Sequence, residues 1–136
     1  MMIMKYVFPA TMERNALSGR YIVIFPDLPG LICQGETQED AYHDAELSLG
    51  LHLYHMEKDN KPIPKTSDPA DWPKREGAEV IVLEADTLEV RKAIDRKKVP
   101  KNIMIPKWLK DLGEENKVNF AKILREGVMA ELGISE

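Results

Sequence analysis

KNIMIPKWLKDLGEENKVNFAKILREGVMAEL runs from Lys101 to Leu132, and the reading of its first six residues decides the fold. Ile103 and Ile105 point one way and Asn102 and Met104 the other, as a period-2 strand requires. Pro106 cannot donate to a ladder and suits the first turn of a helix, so the strand should end and a helix begin there. Trp108, Leu109 and Leu112 give that helix one apolar side, to about Asn116. Asn119 is a good N-cap for a second helix, in which Phe120, Ile123, Leu124, Val128 and Leu132 recur at helical spacing, with Gly133 just past the end.

One short strand and two short helices cannot close a core alone, because the strand has two unpaired edges. The economical solution is a symmetric dimer whose strands pair antiparallel, and a two-stranded ribbon of that kind fits the DNA major groove. The order resembles a ribbon-helix-helix DNA-binding and dimerisation module over residues 99–136. On that reading Ile103, Ile105, Trp108, Ile123, Leu124 and Val128 serve dimerisation. Asn102 and Met104 face base edges, Lys98 and Lys101 meet phosphates, and so does the helix start at Asn119, Phe120 and Ala121. A one-residue change of register would instead put Met104 in the dimer core. The plain alternative is a β-α-α segment inside one larger core.

Working outward, 136 residues hold one ordinary domain, or a small domain with a dimerising appendix. Hydrophobic residues at 43% and charged ones at 31% describe a globular rather than a disordered chain. No apolar run reaches membrane-spanning length, and the opening MMIMKYVF lacks a long apolar core followed by a cleavage site. The single cysteine, Cys33, cannot form an intramolecular disulfide, so the cytoplasm is the expected compartment. The net charge of −4 hides an asymmetry: residues 1–86 sum to −7 and residues 87–136 to +3. Between Arg91 and Lys110 stand 8 basic residues against Asp95 alone. A basic stretch beside a groove-reading strand is what phosphate contact needs.

The N-terminal part reads β-β-β-α-β. Lys5 to Met12 is strand-like, with Pro9 pointing to an edge strand or a bulge. Arg20 to Phe25 is the strongest strand and should be central. Pro26 to Gly30 is a rigid turn in which Gly30 can take positive φ, and Leu31 to Gln34 resumes as a strand. Thr37-Gln38-Glu39-Asp40 starts a helix, with capping chemistry and acidic first-turn residues, that runs to about Asp59. Ala41, Ala45, Leu49, Leu53 and Met56 form its stripe, broadened by Tyr42 and Leu51. Asn60 to Gly77, with four prolines, is an irregular connection. Glu79 to Leu83 is a buried-type strand, and Thr87 to Asp95 a short helical connector. The expected organisation is an α+β domain over residues 1–86, built as a meander, a crossover helix and a returning strand. A basic linker follows at 87–98, then the C-terminal module.

Both halves together resemble the HicB family of antitoxins from bacterial type II toxin–antitoxin modules. The likeness rests on Tyr21 to Gly30 (YIVIFPDLPG), on Gly35-Glu36-Thr37 with Glu39, Ala41 and Ala45, and on Lys61 to Pro64. It continues in Asn102 to Leu109 (NIMIPKWL) and Val118 to Val128 (VNFAKILREGV). The resemblance implies a truncated RNase H-like N-terminal unit that binds a small basic HicA-type toxin, an mRNA-cleaving ribonuclease, and a C-terminal module that binds the operator of its own operon. Relatives commonly place Ser where this chain has Ala121, and Ala where it has Gly127. The glycine should weaken that helix by about 1 kcal/mol unless close packing compensates.

Chemistry by this chain is not expected. Asp27, Glu36, Asp40 and Asp44 are candidates for a metal-dependent nuclease by residue type only, without the motif context such a site needs. They make better sense, with Phe25 and Leu28, as an acidic face for the basic toxin. His43, His52 and His55 fall on the long helix without a completing ligand at zinc spacing. Cys33 reads as a small buried hydrophobe. No metal and no cofactor is expected. The expected function is a cytoplasmic antitoxin and autorepressor, at least dimeric and with no membrane association. The alternative is a stand-alone ribbon-helix-helix transcriptional regulator whose N-terminal domain meets a non-toxin partner or a ligand.

Overall fold

The computed structural model describes residues 4–135. Residues 1–3 and 136, the outermost positions of the expected 1–86 and 99–136 divisions and the start of MMIMKYVF, lie outside them. The chain divides between Arg96 and Lys97.

In the first unit, β1 (Lys5–Arg14), β2 (Tyr21–Ile24), β3 (Ile32–Gly35) and β4 (Glu79–Asp86) form an antiparallel sheet in the order β3-β2-β1-β4. α1 (Gln38–Lys58) covers one face. The Thr37 side chain accepts from the Asp40 amide, as its position in the sequence requires. Ala41, Ala45, Leu49 and Leu53 are buried against Phe8, Ala10, Met12, Val23, Phe25, Cys33 and Leu83. The stripe is broadened by Gly50 and Tyr54, both buried, whereas Tyr42 and Leu51 lie in solvent. Close seating of the helix explains Gly35: a Cβ there would meet the backbone of Asp40, 2.7 Å away at its carbonyl carbon, and the Ala41 amide nitrogen.

Two expectations are corrected. β1 is an interior strand, not an edge. Pro9 is accommodated because β2 pairing stops at Thr11↔Ile24, so β1 is flanked by β4 alone there. Opposite Pro9, the Val82 carbonyl accepts from Tyr42 Oη at 2.9 Å. Second, β4 runs antiparallel to β1, whereas a crossover helix would have delivered it parallel. The 60–77 connection, with a 3₁₀ turn at Pro69–Asp71, carries the chain back first. It is tied at Ser67 N–H to Asp27 (3.0 Å) and at Arg75 to Glu13 (3.0 Å). β4 is therefore an edge strand with only one face covered: Leu83 and Ala85 are buried while Val80 and Val82 are exposed.

α2 (Thr87–Ile94) forms where a helical connector was expected, so the first residues of the expected linker are helical and fastened to α1. Tyr54 Oη donates to Asp95 at 2.7 Å, Arg91 pairs with Glu57 at 3.2 Å, and Val90 lies 3.2 Å from where a Cβ on Gly50 would sit.

In the second unit, α3 (Lys107–Glu115) and α4 (Phe120–Leu132) follow an extended stretch ending at Pro106. The Asn119 side chain caps α4 by accepting from the Lys122 amide at 3.0 Å, and Gly133 closes it with φ 70°. Residues 101–105, expected as a strand, pair with no strand among the described residues. Among the described residues of this unit none is buried.

Candidate binding surfaces

The second unit presents an apolar groove of about 580 Å³. Ile103, Ile105, Ile123, Leu124 and Val128, five of the six residues expected to dimerise, line it together with Leu109, Val118 and Phe120. Trp108, the sixth, lies outside the lining and is mostly exposed. The alternation read from the sequence is visible: Met104 is fully exposed while its isoleucine neighbours turn to the groove. These side chains are already partly covered, so covering the remainder would gain only a part of the roughly 1.5–3 kcal/mol of a full burial for each.

Of the residues expected at DNA, Lys98, Lys101, Asn102, Met104 and Ala121 are exposed. Asn119 is exposed with its side-chain oxygen committed to the cap. Phe120 opens α4. Its ring lies against Gly113 and lines the groove, because an aromatic group at the first position of α4 packs across the turn onto α3.

Of the residues expected at the toxin, Phe25 and Leu28 are core side chains at 1% and 2% exposure, so they hold the turn rather than offer a surface. Asp27 and Asp44 accept backbone amides from Ser67 and Gln34. Glu36 is exposed and 3.9 Å from Arg20, and Asp40 is exposed in the first turn of α1. A carboxylate at a helix start is stabilised there by the peptide dipoles.

Two features escaped the sequence reading. One is Glu57, whose carboxylate accepts from Tyr6 Oη (2.7 Å), Thr87 Oγ1 (2.8 Å) and Arg91 (3.2 Å). Burial foremost, then the hydrogen bond to Glu57 and the charge of its carboxylate, push the Tyr6 hydroxyl up to about 12, against the pull of Arg91. Nothing in the order of residues 6, 57, 87 and 91 announces that they meet. The other is the face of β4 and β1 turned away from α1, where Val7, Val80 and Val82 are exposed. The signal was present, since valines alternating with a core series leave one series in water. Cys33 is buried, which raises its thiol against a hydrogen bond from Ser48. Among the described residues no three His, Cys, Asp or Glu side chains converge as metal ligands, and no helix is long and apolar enough to cross a membrane.

The chain thus has an acidic α+β unit with a core of its own and a two-helix unit in which no described residue is buried. A family profile described as a HicB-like antitoxin of bacterial toxin–antitoxin systems matches residues 8–132. The chain belongs to that family, and its mixed α+β fold matches solved HicB antitoxins. A chain of a toxin–antitoxin complex from Streptococcus pneumoniae superposes with a TM-score of 0.57 at 22% identity, over 94% of this chain and 99% of that one. The Burkholderia pseudomallei antitoxin HicB gives 0.52 at 20% identity, over 93% and 98%. At these identities the likeness is one of fold. An uncharacterised 14.9 kDa protein of Haemophilus phage HP1 is 28% identical over 61 residues, 45% of this chain. This chain spans 44% of that relative's length.

Proposed function

We propose that this antitoxin acts in the cytoplasm by two routes. Its N-terminal unit, a truncated RNase H-like domain, binds and neutralises a small, basic, HicA-type mRNA-cleaving toxin. Its C-terminal unit pairs with a second copy as a ribbon-helix-helix and represses the antitoxin's own operon. The observation that carries the second route is a C-terminal unit in which, among the described residues, no side chain is buried and the extended segment has no partner strand, with Ile103 and Ile105 on an apolar groove. A second copy supplies both missing things, a strand edge and an apolar lid. Asn102 and Met104 then stand on the outer face of the ribbon, with Lys98 and Lys101 beside them for phosphates. For the first route, family membership supports the partner. The charge agrees: residues 4–96 carry 11 Lys and Arg against 17 Asp and Glu, which favours a cationic protein. Masking the toxin's active site requires no chemistry from this chain.

The test of the DNA route is the double substitution Lys101→Ala with Asn102→Ala. Operator affinity should fall at least tenfold, and the slope of log K against log salt should shrink by about 2 for the two basic groups lost from a dimer. Unchanged affinity and slope in a variant that remains dimeric would contradict the ribbon assignment. The toxin route is checked by producing the adjacent short basic reading frame alone and together with this chain. Arrest of translation should appear in the first case and vanish in the second.

A further inference from the structure

We propose that the strip of β1 and β4 facing away from α1 is the docking surface for a basic protein; on the reading above, which this assignment rests on, that protein is the toxin. Val7, Val80 and Val82 are 53%, 53% and 54% exposed. The register Val7↔Glu84, Pro9↔Val82 and Thr11↔Val80 puts them on one side of the sheet, while Phe8, Ala10, Leu83 and Ala85 point into the core. A strand covered on one face only carries polar residues on the other. Here three valines of that face stand more than half exposed, a pattern suited to burial in an assembly.

Charge selects the occupant. Glu84 continues the strip, and with Glu46 of α1 and Asp86 it borders a cavity of about 430 Å³ beside Val7, where Lys5 is the one cation among the described lining residues. Glu46 and Glu84 make no ion pair among the described residues. Two copies of a unit with six excess carboxylates would meet with like charge, whereas a cationic protein would find both an apolar strip and carboxylates awaiting Arg or Lys.

The sheet edges support side-chain docking over strand addition. On β4 the Val82 carbonyl is already taken by Tyr42 Oη, and on β3 the Gln34 amide is taken by Asp44. A strand added at either edge would have to displace the bond already made there. The acidic residues read from the sequence lie toward β3, since Asp44 bonds Gln34 there; the strip lies on the β4 side.

The experiment uses the full chain and a catalytically inactive form of the HicA-type toxin from the same operon, with affinity and association rate measured across salt concentrations. Val82→Glu should weaken binding at least tenfold. Glu46→Lys combined with Glu84→Lys, both exposed positions, should slow association at least threefold and flatten its salt dependence. Glu115→Lys, a charge reversal in the other unit, should match the unchanged chain. Binding by both strip variants within twofold of the unchanged chain overturns the assignment, and if Val82→Glu fails to fold, the double charge reversal alone decides it. Self-association lost in Val82→Glu with toxin affinity intact would give the strip to a second copy and overturn it equally. Failure of the unchanged chain to bind toxin would overturn the toxin reading, and this assignment with it.

Discussion

Glu57 ties three elements through one carboxylate that is 12% exposed: Tyr6 of β1, and Thr87 and Arg91 of α2. Removing it takes this acceptor from the Tyr6 hydroxyl and the Arg91 guanidinium, while Thr87 Oγ1 keeps the Met4 carbonyl at 3.1 Å. Arg91 is a third exposed and can turn to water, so Glu57→Ala should cost about 2–3 kcal/mol, read as the urea midpoint of unfolding. The same contact fixes a pH response. Tyr6 keeps its proton in the folded chain to about pH 12, from an ordinary value of 10.0. Above pH 10 the unfolded chain therefore binds fewer protons than the folded one. The stability Tyr6 contributes is complete below pH 10 and is lost as the pH rises toward 12. Across that window the unchanged chain should lose more stability than Tyr6→Phe, and equal losses would contradict the coupling.

Among the elements, α4 offers a test of what covers it. Gly127 has nothing within 4 Å of where a Cβ would sit, so no packing within the chain compensates for a mid-helix glycine. Gly127→Ala should strengthen the helix by about 1 kcal/mol. Gly127 lines the groove, however, and in the proposed dimer the missing Cβ would let the partner approach. The substitution should thus raise helicity while weakening self-association, measured by sedimentation. Stronger self-association would place Gly127 outside the interface. What was legible at this scale was local chemistry: the Thr37 and Asn119 caps, the Ala41-Ala45-Leu49-Leu53 stripe and the Gly133 stop all act within one turn of helix. What was not legible depended on neighbours. EVIVL has the same alternation whether one face is covered or both, and Pro9 marks an edge only by knowing where β2 ends. Phe25 and Leu28 sit in a polar-looking turn yet pack inward, and Phe120 is drawn onto α3 by Gly113, seven residues away in sequence.

At the scale of the whole molecule, charge divides as the elements do: residues 4–96 sum to −6 and residues 97–136 to +2. The acidic part keeps a core of its own, and among the described residues of the basic part none is buried. In the dimer proposed above, the extended segment 101–105 finds its counterpart in another copy. Hydrogen exchange at the backbone amides of Asn102 to Ile105 in the full-length protein tests this most directly. We predict slow exchange at micromolar concentration that becomes fast on dilution, as the intermolecular ladder dissociates. Fast exchange at every concentration would show that no ribbon forms, and slow exchange independent of concentration that the segment is protected within a single chain; either result contradicts the account.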